Sequence, residues 1–202
     1  MLKYERRLKK QGYDVIIGID EAGRGPLAGP VVAAAVVLKT FRFRNRIDDS
    51  KKLSANARQK AFQEIIKKSF FGIGIVNERI IERINILEST RVAMEQAVAC
   101  LINKIKTNDS KRIHIIVDGR INLRTVFPYT TIINGDAKSK TIASASILAK
   151  VTRDRIMDAF DNIYPQYKFI KHKGYPTREH RKILKRIGPC LIHRKSFYGV
   201  KA

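Results

Sequence analysis

Cysteine is nearly missing from this chain, and the two present, Cys100 and Cys190, lie far apart with no C-x-x-C pair. A disulfide framework and a cysteine-ligated zinc site are thereby excluded as organising devices, and a reducing compartment is expected. The four histidines, His114, His172, His180 and His193, also lack zinc-site spacing. His172, His180 and His193 read as surface or phosphate-facing residues, because no nucleophile and orienting acid accompany them. Long apolar runs are missing too. The longest, Val31 to Leu38, falls far short of the roughly 20 residues that span a bilayer. The opening segment MLKYERRLKKQGYD has charge but no apolar h-region, so the expected location is the cytoplasm and no membrane partner is expected. Repeats and low-complexity tracts are absent.

Acids are scarce: 18 Asp and Glu stand against 41 Lys and Arg, a net charge of +23. Such an excess in a globular chain implies a polyanionic partner, with nucleic acid favoured over a membrane surface. The imbalance thickens late, where ten basic residues between Lys168 and Lys195 face one acid, Glu179. A solvated basic face has the same composition. A length of 202 residues at 44% hydrophobic content is enough for one full core, so a single domain with an appendage is expected.

Against this scarcity of acids, the stretch Val15 to Pro30, VIIGIDEAGRGPLAGP, sets two carboxylates side by side. Neighbouring side chains on a strand point to opposite faces. Asp20 and Glu21 therefore converge on one ligand only if the backbone bends directly after Asp20. Gly23 and Gly25 permit such a bend and a close approach to bare backbone, and Arg24 offers a guanidinium for phosphate. The plainer reading is a turn capped by Asp20. Neither G-x-G-x-x-G nor a P-loop is present, since the spacing differs and no Lys-Ser or Lys-Thr follows.

Strands are predicted over Tyr13 to Asp20 and Pro30 to Leu38, joined by the glycine turn as an antiparallel pair, and over Phe70 to Val76, where Gly72 and Gly74 weaken the pattern. Ser54 reads as the N-cap of one helix, with Ala57, Ala61, Phe62, Ile65 and Ile66 on its apolar face. Asn85 with Glu88 reads as a capping box opening a longer helix that buries Met94, Ala97, Val98, Leu101 and Ile105. Ile113 to Asp118 is a strand buried on both faces, and strand–helix–strand order favours parallel pairing there. A short strand over Thr130 to Asn134 leads to Asp136. A helix over Thr141 to Ile163 ends at Pro165, and a basic helix runs from Thr177 to Ile187.

Asp20, Glu21, Asp118 and Asp136 thus fall at strand ends or in the turns after them. Carboxylates gathered in so basic a chain repel one another and any nucleic acid unless divalent cations lie between them, and oxygen ligands suit Mg²⁺ or Mn²⁺. The arrangement suits two-metal phosphodiester hydrolysis. Taken singly, Asp118 reads equally well as a turn cap, and Asp136 as an Asx turn or helix cap.

The segments D-E-A-G-R-G-P-L-A-G-P, V-D-G at Val117 to Gly119, G-D at Gly135 to Asp136, S-A-S-I-L-A-K-V-T-R-D at Ser144 to Asp154 and H-K-G-Y-P-T at His172 to Thr177 together resemble bacterial ribonuclease HII, over nearly the whole chain and in that family's order. The resemblance implies an α/β, ribonuclease H-like mixed five-stranded sheet flanked by helices (1–163) with a basic helical C-terminal extension packed on it (164–202). It implies endonucleolytic cleavage of the RNA strand of RNA–DNA hybrids and at single ribonucleotides in duplex DNA, leaving 5′-phosphate and 3′-hydroxyl ends. Asp20, Glu21, Asp118 and Asp136 match the catalytic, metal-holding acids. Gly23, Arg24 and Gly25 match the turn that reads the 2′-hydroxyl, and Tyr175 matches the residue that senses the deoxynucleotide at the junction. Ser50, Lys51, Lys52, Lys150 and Arg153 are candidate phosphate contacts, each equally readable as part of a solvated face, and a monomer is expected. Two rivals stand beside this reading. A noncatalytic nucleic-acid-binding protein would leave the acids unexplained. Ribonuclease HIII carries an additional N-terminal substrate-binding domain, for which an acidic turn at residue 20 leaves no room.

Overall fold

The computed structural model describes residues 1–105 and 112–200. Five strands, β1 (Val15–Ala22), β2 (Val31–Leu38), β3 (Ser69–Val76), β4 (Ile113–Asp118) and β5 (Tyr129–Ile132), form one sheet in the order β3-β2-β1-β4-β5. β1 pairs antiparallel with β2, and β2 with β3, whereas β1 with β4 and β4 with β5 are parallel. This is the expected mixed α/β sheet. Strand alternation sorts its side chains into two layers. Ile17, Ile19, Ala33, Ala35, Ile115 and Val117 pack under helix α3 (Glu78–Ile105) with Met94, Ala97 and Leu101. On the other face, Ala34 and Val36 meet Ala61 and Ile65 of α2 (Ala55–Lys68) and Ile147 and Leu148 of helix α5 (Lys140–Ile163), the short α4 (Gly135–Lys138) lying just before α5. Asp20 shares this second face, because it alternates with Ile19 and Glu21.

Gly72 and Gly74, which weaken the strand pattern in sequence, are what allows α3 to lie so near the sheet. A Cβ built on Gly74 would stand 1.9 Å from the Ala93 carbonyl oxygen, and one on Gly72 2.1 Å from that of Ala97.

Ser54 caps α2 as expected, its side chain accepting from Ala57 N. Asn85 also caps as expected, accepting from the amides of Leu87 (2.9 Å) and Glu88 (3.1 Å) at φ 64°. Two details differ. Helical residues already precede it from Glu78, so Asn85 breaks a helix in two, and Glu88 turns to Arg91 instead of back to the cap.

Helix α1 (Lys3–Lys10) has no counterpart in the sequence expectations. It holds by burying Leu8 and Glu5, and Glu5 Oε1 accepts from Ser139 Oγ (2.7 Å), Thr141 N (3.0 Å) and Thr141 Oγ1 (3.0 Å). The N-terminus is thereby tied to the start of α5.

After Ile163 the chain forms a 3₁₀ turn (Pro165–Tyr167), α6 (Phe169–His172) and α7 (Arg178–Ile187), with Thr177 capping α7. Tyr167, Phe169, Ile183, Leu184 and Ile192 bury themselves against Met157 of α5 and against Leu27 and Ala28. The last two belong to the glycine turn, so the extension and that turn share one small core.

The expectation of exposed histidines is overturned here, because His172, His180 and His193 are all buried in this core. His180 Nδ1 donates to the Tyr175 carbonyl at 2.9 Å, which leaves its Nε2 to accept from His193 Nε2 at 3.0 Å. His193 Nδ1 then accepts the Cys190 amide at 2.9 Å. The chain of bonds closes only if both rings are neutral. Burial, and for His193 also the adjacent His180, holds both pKa values down to about 4. Unfolded histidines take protons from pH ~6.5 downward, so between pH 6.5 and about 4 the unfolded chain binds more protons and stability falls with pH. Melting temperature is therefore expected to hold steady from pH 8 to 7 and to drop already between pH 6.5 and 5, above the range where most carboxylates titrate. A flat melting temperature across that upper window would contradict the neutral chain.

Candidate active site

β1 and β4 run in parallel with Ile19 opposite Val117, so Asp20 and Asp118 follow as neighbours on the face that packs on α5. Asp136 joins them from α4, which the β5–α4 turn sets directly behind β4; the Gly135 amide donates to Asp118 Oδ1 at 2.6 Å. One carboxylate oxygen each from Asp20, Asp118 and Asp136 lie within 4.8 Å of one another.

Glu21 is the exception among the four expected acids. The anticipated bend after Asp20 does not occur. β1 continues through Glu21 and Ala22, paired with Ala33 and Val32, and the chain turns only at Gly23, where φ is +107°. Glu21 therefore starts from the opposite face and borders the three aspartates from the side, with Arg24 Nη1 3.5 Å from its Oε1.

The electrostatics of the group are unfavourable as it stands. Burial, then Glu21, then Asp118 hold the Asp20 carboxyl well above the usual carboxylate range. Burial and then Asp118 and Asp49 raise Asp136. Burial raises Glu21, against an opposing pull from Arg24. For Lys51, burial favours the neutral amine, but Asp49, Asp136, Asp20 and Asp118 outweigh it and the ammonium is stabilised. Carboxylates that repel one another across less than 5 Å form a set of hard oxygen donors whose charge a divalent cation neutralises. The residues therefore fit a metal of the Mg²⁺ or Mn²⁺ type.

Beside the acids lies a cleft of about 250 Å³ lined by Glu21, Gly23, Arg24, Gly25, Ser50, Lys51, Ser146, Lys150 and Tyr175, together with Ala22. Most of the expected substrate contacts thus meet in one place. Lys150 Nζ sits 5.2 Å from the centre of the Tyr175 ring and pairs with Asp154 at 2.7 Å. Ser50 is buried and accepts a hydrogen bond from Ser146 Oγ at 3.0 Å. Lys52 is exposed and is not among the cleft-lining residues.

Arg153 departs furthest from its expected role. It is completely buried, out of reach of any phosphate, and its guanidinium donates to the carbonyls of Pro30 (2.9 Å), Ala28 (2.9 Å) and Lys173 (2.9 Å). Two residues around the site, one lining the cleft and one behind it, have no counterpart among the expected site residues. Ser146 stands one helical turn before Lys150 on α5, and that spacing was the available signal. Arg194 is also fully buried, behind the glycine turn, and nothing local in H-R-K-S marks it.

The sequence model of the ribonuclease HII family, described as "Ribonuclease HII", matches residues 17–200. A ribonuclease HII from Acholeplasma laidlawii is 48% identical over 201 residues, 98% of this chain and 95% of that protein. Among solved structures, the ribonuclease H2 of Pyrococcus horikoshii superposes with a TM-score of 0.71 at 24% identity, covering 92% of this chain and 95% of that one. A Bst ribonuclease HIII in complex with Mn²⁺ superposes with a TM-score of 0.63 at 16% identity, covering 85% of this chain and 70% of that one. The last two are likenesses of fold.

Proposed function

Because the chain belongs to the ribonuclease HII family, and is accordingly a divalent-metal-dependent endoribonuclease of RNA–DNA hybrids, we propose that Asp20, Glu21, Asp118 and Asp136 form its catalytic centre. The observation that carries this reading is the approach of Asp20, Asp118 and Asp136, from three separate elements, to within 4.8 Å. Asp20, Asp118 and Asp136 would hold the metal, and Glu21, bordering them from the side, would complete the set. Bound there, Mg²⁺ or Mn²⁺ as a two-metal pair would supply a lowered water pKa and Lewis acidity at the leaving oxygen.

The protein's own groups do the selecting. Gly23, Arg24 and Gly25 line the cleft, the last two exposed, and their backbone reads the 2′-hydroxyl, which both donates and accepts. Tyr175, which also lines the cleft, presents a flat ring to the neighbouring sugar. Lys51, Lys150 and Arg24 counter phosphate charge, and Ser50 with Ser146 braces the loop that carries Lys51. Lys52 serves at most the outer phosphates. Arg153 holds the turn through the Ala28 and Pro30 carbonyls. The products are 5′-phosphate and 3′-hydroxyl ends, and single ribonucleotides embedded in duplex DNA are substrates.

The same reading takes residues 1–163 as the catalytic unit and 164–202 as its basic extension, acting as a monomer in the cytoplasm. No helix among the described residues is long and apolar enough to cross a membrane, and neither described cysteine is in a disulfide. Metal-dependent cleavage of hybrid, embedded-ribonucleotide and plain DNA duplexes, run side by side, tests the proposal. Cleavage of the first two and sparing of the third is expected; failure on the embedded ribonucleotide would favour a ribonuclease HIII-like preference.

A chain with this charge should also bind hybrid with a steep salt dependence. Contacts to six or more phosphates correspond to a loss of roughly 10³-fold between 50 and 200 mM salt. A flat response would remove the extension as a contact surface.

A further inference from the structure

We infer that Arg194, from the C-terminal extension, is a positioning residue that fixes which way the peptide groups of the Gly23–Gly25 turn face. Its guanidinium is completely buried, and no carboxylate pairs with it among the described residues. Every bond it makes is to a backbone carbonyl of the turn. Nη2 donates to Gly23 O (2.7 Å) and Gly29 O (2.7 Å), Nη1 to Arg24 O (3.1 Å) and Pro26 O (2.9 Å), and Nε to Gly29 O (2.9 Å).

The consequence follows from peptide geometry. No peptide bond among the described residues is cis, and in a trans peptide the N–H points opposite to the C=O of the same unit. With the carbonyls of Gly23 and Arg24 drawn inward to Arg194, the amides of Arg24 and Gly25 must point outward. Outward is the cleft that Gly23, Arg24 and Gly25 line. Neither amide donates to any protein group among the described residues. Both are thus free donors held in a fixed direction.

Arg153 supports the neighbouring carbonyls, Ala28 and Pro30, but leaves those of Gly23 and Arg24 to Arg194. A lysine in place of Arg194 keeps the charge but lacks the planar fork, so it cannot hold four carbonyls in one plane.

The inference rests on the proposed reading of the 2′-hydroxyl by this turn, and the test separates the two. Binding to a DNA duplex with one ribonucleotide and to an otherwise identical all-DNA duplex is measured in EDTA, so that no cleavage contributes. If the unaltered protein shows no preference, the reading of the turn fails. If it does, Arg194→Lys is expected to reduce the preference at least about fivefold, the worth of one to two well-aimed hydrogen bonds. Leu184→Ala, in the same small core, should lower the melting temperature and leave the preference intact. An Arg194→Lys protein that retains the full preference, or a Leu184→Ala protein that loses it equally, overturns the inference. Should Arg194→Lys not fold, amide hydrogen exchange on the unaltered protein decides. Fast exchange at Arg24 and Gly25, slowed by the ribonucleotide duplex but not by DNA, is expected, and slow exchange in the free protein means the peptide groups face the other way.

Discussion

Asp118→Asn should lower the turnover of hybrid by at least roughly 10³-fold while leaving its affinity nearly unchanged, the loss expected when several kcal/mol of metal-based transition-state stabilisation is withdrawn. Asparagine keeps the size of the side chain and an oxygen for the Gly135 amide, so the β4–α4 junction need not move. What is lost is one negative charge from a group in which Asp20 and Asp136 both carry pKa values raised in part by Asp118. The same substitution should therefore raise the melting temperature in metal-free buffer, because a like charge has left a buried cluster. Higher stability, retained binding and lost turnover form a combination that a noncatalytic nucleic-acid-binding protein cannot give. A variant that still cleaves hybrid at the parental rate would remove Asp118 from the centre, and with it the proposed mechanism.

How far the sequence foretold this site depends on which residues could be read from one element alone. Asp20 and Asp118 each end an apolar run, and period-two alternation with parallel pairing is enough to put them side by side. Asp136 could not be placed that way. Its position depends on β5 lying beside β4, a pairing between segments whose connection has no period to read. The turn after Asp20 comes later than the glycines two and four residues beyond Glu21 suggest, because antiparallel pairing with β2 carries the strand through Ala22.

The buried cations and histidines were the least legible. Arg153 sits three residues from Lys150 on one helix, and both looked like phosphate ligands. Only Lys150 lines the cleft, because the carbonyls of the glycine turn and of Lys173 close over Arg153. His172, His180 and His193 are spread over a strongly basic segment whose composition signals solvent. Their burial comes from the packing of the extension on Leu27, Ala28 and Met157, while their ring nitrogens are met by backbone only a few residues away, at Tyr167, Tyr175 and Cys190. Residue type and near neighbours reveal exposure poorly when distant segments close over a polar side chain, as the carbonyls of Ala28 and Pro30 do over Arg153.

Two glycine substitutions should separate what the fold needs from what the cleft needs. Gly74→Val places a Cβ where the Ala93 carbonyl oxygen stands 1.9 Å and the Ala97 nitrogen 2.9 Å away. Both obstacles are backbone of α3, so no side chain can swing aside and the helix itself must retreat from the sheet. Overpacking of this kind costs about 1–3 kcal/mol or more, and in a chain of this length each kcal/mol corresponds to about 2–4 °C, so a fall in melting temperature on the order of 10 °C is expected. Because α3 covers the face opposite Asp20, the folded fraction should still cleave hybrid at close to the parental rate below the transition. Gly25→Ala should behave inversely. Nothing lies within 4 Å of the Cβ it would add, so melting should barely change. The added methyl instead narrows the bare backbone against which a 2′-hydroxyl must approach, and hybrid cleavage should drop by roughly tenfold or more, the effect of about 1.4 kcal/mol at the transition state. If Gly74→Val melts like the parent, the close approach of α3 to the sheet is wrong. If Gly25→Ala cleaves like the parent, the turn does not meet the substrate.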